Sequence, residues 1–332
     1  MAEQTQMLNY VSAIGAAIRE EMQRDKTVAM WGEDLVSMRG AYGENPGMYE
    51  EFGDRIMDTP IVEQAILATG MGAALTGTRA IVSIMTTGFL AIAFDGLFME
   101  VGGLRQEFGY TGPMPLVVFC RTGVGGGFGA HHCASIESTL MHSPGLKIVM
   151  PSTPYDAKGL MKTAIRDDDP VVFLAHGPVY FRGKQEIPAE EYLIPFGKAD
   201  VKKEGTDVTI VVYAGMVRKA LAAAETLSKE NGISAEVLDL RTLVPLDIDA
   251  IVTSVKKTGR LLIAHEAMKR GGAAGEIAMR FTEAAPDVAK TLKTPVRRLG
   301  AKNVALPRSA ELERMLIPND KDVVAIVKEM MA

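Results

Sequence analysis

Residues 115–132 read PLVVFCRTGVGGGFGAHH, an apolar run followed by a glycine-dense loop and two adjacent histidines. The run from Pro115 to Cys120 is typical of a buried strand. The loop glycines at 123, 125, 126, 127 and 129 permit positive φ angles and a close approach to a ligand. His131 and His132 follow at the end of the loop. Histidine titrates near neutral pH, so this arrangement indicates an active site. A capping or packing role for the histidine is the structural alternative.

The loop does not carry a known phosphate-binding motif. GVGGGFG fits GxGxxG only loosely, and no acidic residue follows a second strand at the expected distance. The pattern GxxxxGK[ST] is absent from the chain, which excludes a P-loop.

Composition predicts a two-domain globular protein. The 332 residues are 47% hydrophobic and 23% charged, and the net charge of −5 argues against nucleic acid or an anionic membrane as the main partner. The two cysteines, Cys120 and Cys133, have no metal-ligand spacing and favour a reducing cytoplasm. No signal peptide is recognisable, and the longest uncharged stretches, 64–78 and 80–94, are too short for a membrane span.

The order of apolar segments predicts an α/β fold with two mainly parallel sheets. A helical pattern at 5–25 is followed by strand-like runs at 28–32, 80–84, 115–120, 147–150 and 171–174, with helical stretches between them. The polar segment 183–206 interrupts this series, and a second one begins with a strand at 207–214 and a helix at 216–231. We therefore expect a domain at 1–190, a linker at 191–206 and a domain at 207–332.

Other side chains are candidates for chemistry. Glu63 precedes a nearly uncharged helix of small residues, where a carboxylate either serves the reaction or only complements the helix macrodipole. His265 and Glu266 follow a strand, where open α/β sheets place ligands, although an interface pair is equally consistent. The acidic run 167–169 indicates a solvated turn whose carbonyls are able to face a cation.

Seven segments together resemble a known family. They include DTPIVEQ (58–64), the loop ending in His132, PGLKIVMPSTPYDAKGL (144–160), LDLRTLVPLD (238–247) and KKTGRLLIAHEA (256–267). In the same order, they are similar to the beta subunits of thiamine-diphosphate-dependent 2-oxo acid dehydrogenases, which act on pyruvate, branched-chain 2-oxo acids or acetoin. The resemblance implies a pyrimidine-binding α/β domain followed by a transketolase-like C-terminal domain.

The resemblance assigns roles to individual residues. It implies that Glu63 forms a hydrogen bond with N1′ of the cofactor's aminopyrimidine, which favours formation of the thiazolium ylid. A low dielectric around the carboxylate strengthens such a hydrogen bond. It places Met85 and Phe89 near the cofactor ring. His132 matches the catalytic histidine that serves the 2-oxo acid adduct or the transfer to a lipoyl arm, whereas His131 has no certain role.

The resemblance also implies a second chain and two metal ions. Thiamine enzymes hold the diphosphate and Mg²⁺ with a GDG motif followed by Asn-Asn, and this chain has neither. An alpha chain is therefore expected to supply that half, in a tetramer of two alpha and two beta chains (α2β2). A structural potassium site is implied at the backbone carbonyls of Leu116, Ala164, Ile165, Asp167 and Asp169.

Two departures from the family bear on the substrate. Relatives commonly have an aromatic-acidic stretch where this chain has Thr86-Thr87-Gly88-Phe89, and an aromatic residue where Arg308 follows Pro307. The sequence thus predicts a cytoplasmic beta subunit that decarboxylates a 2-oxo acid such as pyruvate and passes the acyl group to a lipoyl-bearing acyltransferase. The alternatives are an acetoin dehydrogenase beta subunit, a split-chain transketolase-like enzyme, and a non-catalytic structural subunit.

Overall fold

The computed structural model describes residues 4–40, 43–124, 126–180 and 182–332. Two compact units divide the chain: Met1–Thr122 with Thr139–Phe196, and Gly123–Ser138 with Gly197–Ala332. The glycine loop and both of its histidines therefore belong to the second unit, although the chain on either side of them belongs to the first.

A parallel sheet forms the centre of the first unit. Its strands are β1 (Thr5–Leu8), β2 (Val28–Gly32), β3 (Ile56–Asp58), β4 (Arg79–Thr86), β5 (Leu116–Thr122), β6 (Lys147–Val149), β7 (Val171–His176) and β8 (Gln185–Pro188). Six of them lie in the order β6-β7-β5-β4-β2-β3, and every neighbouring pair is parallel. The remaining two, β1 and β8, form an antiparallel ribbon. The helical pattern at 5–25 was therefore wrong for residues 5–8, because pairing with β8 outweighs the local periodicity.

Helices cover this sheet. They are α1 (Tyr10–Arg24), α2 (Met48–Phe52), α3 (Glu63–Leu75), α4 (Thr87–Leu90), α5 (Leu104–Phe108) and α7 (Pro154–Arg166), with a π-helical segment at Asp95–Val101. The short helix α6 (Glu137–Leu140) begins in the second unit. Side-chain caps stabilise the first turns of the two long outer helices. Asn9 caps α1, and Thr153 caps α7, which has Pro154 in its first turn. Their apolar faces share one core with the sheet, which includes Ile14 and Phe173.

A buried carboxylate joins α1 to α7. The Glu21 side chain is fully buried and accepts hydrogen bonds from Arg24 at 2.7 Å and from Arg166 at 2.8 and 2.9 Å. Burial raises the pKa of Glu21, but the bonds and charges of the two arginines outweigh that effect and leave the pKa lowered. This network fixes the packing of two helices that the sequence separates by more than a hundred residues.

The second unit is a smaller α/β layer. Its elements are β9 (Asp200–Lys203), β10 (Val208–Val212), α8 (Met216–Asn231), β11 (Ala235–Asp239), β12 (Thr242–Val244), α9 (Ile248–Thr258), β13 (Leu261–Met268), α10 (Ala273–Ala284), α11 (Pro286–Lys290), β14 (Arg297–Ala301), α12 (Ala310–Arg314) and α13 (Asp320–Met331). Five strands form a sheet in the order β14-β13-β10-β11-β9, parallel except for the edge strand β9. The prediction of two α/β domains with mainly parallel sheets is confirmed.

Membrane-spanning potential is slight among the described residues. None of their helices alone is long and apolar enough to cross a bilayer. Two consecutive helical segments, Thr87–Ala93 and Asp95–Phe108, are long and apolar enough only when taken together, and the chain bends by 60° between them.

Candidate active site

Three neighbouring strands of the first unit end in chemically active side chains. Glu33 directly follows β2, and Glu63 follows β3 after four residues. Met85 is the penultimate residue of β4. The strands are adjacent and parallel, in the order β3-β2-β4, so their carboxyl ends meet at one edge of the sheet. Ligands of open α/β sheets bind at this edge.

The end of β2 approaches β4 unusually closely. Gly32 pairs with Ser83, and a Cβ atom at position 32 would overlap with the Ser83 carbonyl group. Only glycine tolerates this approach, and it directs the next residue, Glu33, into the protein, where 2% of its surface is exposed. The backbone N–H of Met85 donates to the Glu33 carboxylate.

The Glu33 carboxyl is strongly perturbed. Burial, aided by the negative charges of Glu63 and Asp34, raises the pKa of Glu33 to about 7 against the opposing effect of the Met85 N–H. The Oε1 atom of Glu33 is buried without a hydrogen-bond partner among the described residues. A carboxyl group with these properties holds a proton part of the time near neutral pH and has an acceptor to offer a ligand.

Glu63 occupies the first position of α3, and 7% of its surface is exposed. Among the residues that the structure describes, no side chain or backbone N–H donates to its carboxylate. The preceding side chains, Ile61 and Val62, are exposed by 66% and 46%, and the helix begins without a side-chain cap. A buried carboxylate costs considerable free energy unless a donor satisfies it. Its surroundings therefore fit a ligand that brings a hydrogen-bond donor.

The two ring-contact candidates lie close by in the fold. Met85 is half-buried in β4, at an irregularity where the pairing with β5 shifts register, and Phe89 is half-buried in α4. Both lie at the carboxyl end of β4 or just after it, and β4 is the neighbour of β2 in the sheet. Between them, Thr86 and Thr87 are buried.

The histidine loop forms a tight turn in the second unit. The N–H groups of His132 and Cys133 both donate to the carbonyl of Gly129, at 3.3 and 3.1 Å. His131 is exposed and His132 is half-buried. Gly125 lies outside the described residues.

Two buried carboxylates anchor this loop. The backbone N–H of Gly127 donates to Oε2 of Glu313 at 2.6 Å, and the hydroxyl of Tyr213 donates to Oε1 of Glu137 at 2.8 Å. Burial, the Glu137 charge and the hydrogen bond to Glu137 raise the pKa of Tyr213 well above its usual value. The Tyr213 ring stacks on that of His265 at 6.1 Å.

His265 is buried within the second unit. It is 1% exposed, its Nδ1 lies 3.0 Å from the Ala267 carbonyl, and burial lowers its pKa to about 4. Glu266 accepts from Lys219 at 2.7 Å. The Nε2 atom of His265 is buried without a hydrogen-bond partner among the described residues.

Basic side chains donate hydrogen bonds to the turn that is predicted to hold potassium. Nη1 of Arg79 donates to the carbonyls of Ile165 at 3.2 Å and Asp167 at 3.1 Å, and Lys147 binds the carboxylates of Asp167 and Asp169. Ala164 lies in the last turn of α7, and Leu116 begins β5. Two of the five carbonyls that the resemblance assigns to potassium thus accept from a guanidinium, and the potassium site stays a prediction. Within the described part of the chain, no group of three or more His, Cys, Asp or Glu side chains fits a metal ion.

Comparisons with known proteins cover nearly the whole chain. Residues 6–180 match the transketolase pyrimidine binding domain, and residues 197–323 match the transketolase C-terminal domain. The chain is 42% identical to the 2-oxoisovalerate dehydrogenase subunit beta of Bacillus subtilis and 41% identical to the pyruvate dehydrogenase E1 component subunit beta of the same organism, with 98% of both chains covered in each case. The chain belongs to this family of 2-oxo acid dehydrogenase beta subunits.

A solved structure shares the fold of the chain. A split gene transketolase described as an inactive beta4 tetramer superimposes with a TM-score of 0.79 at 26% identity and covers 98% of each chain. The family resemblance predicted from seven sequence segments is confirmed, and so is the fold class of two transketolase-type domains.

Three residues of the site escaped the sequence analysis. Glu33 directly follows a predicted strand, so its position at the carboxyl edge was a usable signal. Glu313 and Tyr213 carry no such signal, because their link to the loop depends on partners 186 and 76 residues away in the chain. Glu63 and His132, which the sequence did predict, belong to different units.

Proposed function

We propose that this chain is the beta subunit of a thiamine-diphosphate-dependent 2-oxo acid dehydrogenase. The observation that carries the proposal is the buried Glu63 carboxylate, which lacks a donor in the described chain and lies at the carboxyl edge next to Glu33. When bound, the cofactor supplies the nucleophilic carbon on which a 2-oxo acid loses CO₂. The side chains of this chain bind that cofactor and accept or donate protons during the reaction.

Glu63 is proposed to accept a hydrogen bond from N1′ of the aminopyrimidine. The apolar surroundings strengthen such a bond, because water competes poorly there. Met85 and Phe89 are proposed to pack near the cofactor ring. The nearby Glu33 binds a proton near neutral pH, which reduces the repulsion between two neighbouring carboxylates and keeps Glu63 available as an acceptor.

His132 is proposed to serve the substrate. Its half-buried imidazole is able to hold a proton that stabilises negative charge on the carbonyl oxygen of the 2-oxo acid. In the second half of the reaction, the same group is proposed to assist acyl transfer to a lipoyl arm. The exposed His131 has no assigned role.

An alpha chain is proposed to complete the site. The GDG and Asn-Asn motifs that hold Mg²⁺ and the diphosphate are absent from this sequence, and the matched relatives are named as beta subunits. α3 and the two residues before it offer a surface for such a partner: Ile61, Val62, Ala65, Ala68 and Gly72 are all exposed. Small and apolar exposed residues permit close helix packing, so a heterotetramer of two alpha and two beta chains is proposed.

The substrate is proposed to be pyruvate or a branched-chain 2-oxo acid. The relatives named for these two substrates are nearly equally similar, at 41% and 42% identity. A split-chain transketolase is a second candidate, because the split gene transketolase shares the fold over the full length. Acetoin cleavage remains the alternative within the same chemistry, and a non-catalytic subunit the alternative outside it.

Reconstitution tests the proposal. The chain is purified alone and with an alpha chain that carries the GDG and Asn-Asn motifs, and activity is followed with an artificial electron acceptor, thiamine diphosphate and Mg²⁺. We expect activity only in the mixture, with one of pyruvate, 2-oxoisovalerate or acetoin preferred over a ketose phosphate. Glu63→Gln is expected to lose about 100-fold or more, whereas Glu107→Gln, at an exposed position, keeps full activity. Activity of the lone chain, or full activity of Glu63→Gln, would contradict the proposal.

Potassium is proposed to bind at the turn after α7. The carbonyls of Ile165 and Asp167 converge there on Arg79, and neutral carbonyl oxygens suit a monovalent cation. A bound ion stabilises the folded chain in proportion to its occupancy. We expect a higher melting temperature in potassium chloride than in choline chloride at equal ionic strength; equal values would argue against the site.

The chain is proposed to be cytoplasmic. The two buried thiols, Cys120 and Cys133, suit this location.

A further inference from the structure

The second unit holds the histidine loop from both ends. On the amino-terminal side, the N–H of Gly127 donates to the fully buried Glu313 at 2.6 Å. On the carboxy-terminal side, the buried Glu137 accepts from the Tyr213 hydroxyl at 2.8 Å. Between the two anchors lie His131 and His132.

Packing reinforces the first anchor. Gly127 has a φ of +70°, and a Cβ atom there would lie 3.0 Å from the Ala310 Cβ and 3.3 Å from the Arg308 carbonyl oxygen. The loop backbone thus rests directly on the start of α12. Val124 and Cys133, at either end of the turn, share a small apolar cluster with Ala301 and Ile317. The contacts of Val124, Gly127 and Cys133 given above all lie within the second unit.

The burial of Glu313 is unusual for its helix. Ser309 caps α12, and the neighbouring carboxylate Glu311 is exposed, as is Arg314. A carboxylate is buried at a high cost unless strong bonds hold it, and a bond from a backbone N–H to a carboxylate is of the stronger, charge-assisted kind. The residue that donates this bond to Glu313, Gly127, belongs to the loop that carries His132.

We propose that Glu313 is a positioning residue: its carboxylate fixes the glycine loop, and through the loop the imidazole of His132, in the orientation that the reaction requires. The Tyr213–Glu137 bond secures the other end of the same loop. The inference rests on the role proposed for His132 above. It assigns the transketolase-type C-terminal domain a direct part in catalysis, since this domain seats a catalytic side chain.

Kinetics of the reconstituted complex test the positioning role. Glu313→Ala removes the acceptor, and we expect kcat to fall about 10-fold to 100-fold, since a displacement near 1 Å has effects of this size. KM for the 2-oxo acid should change little, because the substrate's other contacts persist. Glu313→Gln keeps an oxygen that accepts from the Gly127 N–H and should restore most of kcat. Glu311→Ala, at the exposed position two residues earlier, is the matched control and should behave as the parent.

A double-mutant cycle separates positioning from general damage. If Glu313 acts through His132, then Glu313→Ala adds little further loss to His132→Ala. Losses that multiply would overturn the proposal. Full activity of His132→Ala would instead refute the role proposed for His132, whereas an impaired His132→Ala with a fully active Glu313→Ala would refute only the positioning role.

Hydrogen exchange provides a readout without cofactor or turnover. In the full-length chain, Glu313→Ala should speed amide exchange in peptides covering 123–132 and leave peptides of β4 and β10 unchanged, and Glu311→Ala should change neither. If Glu313→Ala does not fold, Tyr213→Phe decides the matter, because it removes the hydroxyl and keeps the ring stacking on His265. Tyr213→Phe should then speed exchange in residues 133–140 and lower kcat. Parental exchange and kcat in that variant would overturn the proposal.

Discussion

Glu33→Gln isolates the titration of the buried acid at the end of β2. Glutamine keeps the shape of the protonated side chain but cannot ionise. Burial, aided by the charges of Glu63 and Asp34, raises the pKa of Glu33 from 4.5 to about 7, which corresponds to about 3 kcal/mol between the two protonation states. The folded protein binds this proton more tightly than the unfolded chain. The contribution of Glu33 to the free energy of unfolding is therefore largest below pH 4.5 and is lost as the pH rises through about 7.

The variant avoids this loss. We expect Glu33→Gln to match the parent in acid and to exceed its free energy of unfolding by up to about 3 kcal/mol above about pH 8. Urea unfolding of the full-length lone chain measures the difference at several pH values. Trp31 is the chain's single tryptophan, is 6% exposed and lies in β2, so its fluorescence reports on the first unit. Glu107→Gln is the exposed control. A constant difference between Glu33→Gln and the parent across this pH range would refute the reasoning.

Three further substitutions have defined outcomes by urea unfolding. Glu21→Gln should lose about 3 kcal/mol or more, because it weakens a buried carboxylate's bonds to Arg166 and Arg24; a loss below about 1 kcal/mol would contradict this. Gly32→Ala should lose about 3 kcal/mol through overlap with the Ser83 carbonyl, and parental stability would disprove the close approach. Gly72→Ala meets nothing within 4 Å and should stabilise the lone chain by about 1 kcal/mol. In sedimentation with the alpha chain, the same change should weaken the proposed complex, and unchanged affinity would exclude this face of α3 from the interface.

Local patterns predicted most of the elements. The helix expected at 216–231 begins at Met216 and ends at Asn231, because Gly232 closes it in the left-handed conformation. The strand expected at 28–32 is β2. Residues 5–8 were misassigned because a four-residue edge strand owes its conformation to a distant partner, β8, and not to its own periodicity.

The candidate site was predicted only in part. Glu63 and His132 stand out because a lone acid before a small-residue helix and a histidine after a glycine loop are visible in the chain itself. Their proposed roles come from the family resemblance, and the experiments above test them. Glu33 was overlooked because its character depends on burial and on the nearby Glu63 charge, neither of which a charged residue in a sequence displays.

The sequence by itself determined the two α/β layers and the family, because hydrophobic periodicity and short motifs are local properties of the chain. It also predicted Glu63 and His132 as site residues. The tertiary structure alone decided that Glu33 and Glu63 interact and that the histidine loop is seated by Glu313 and Tyr213. The pairing of Gly127 with Glu313 joins residues 186 positions apart, and it forms only when the second unit packs α12 beneath the loop. Burial then changes the chemistry, since removal from water raises the pKa of Glu33 and strengthens the bonds that hold the loop.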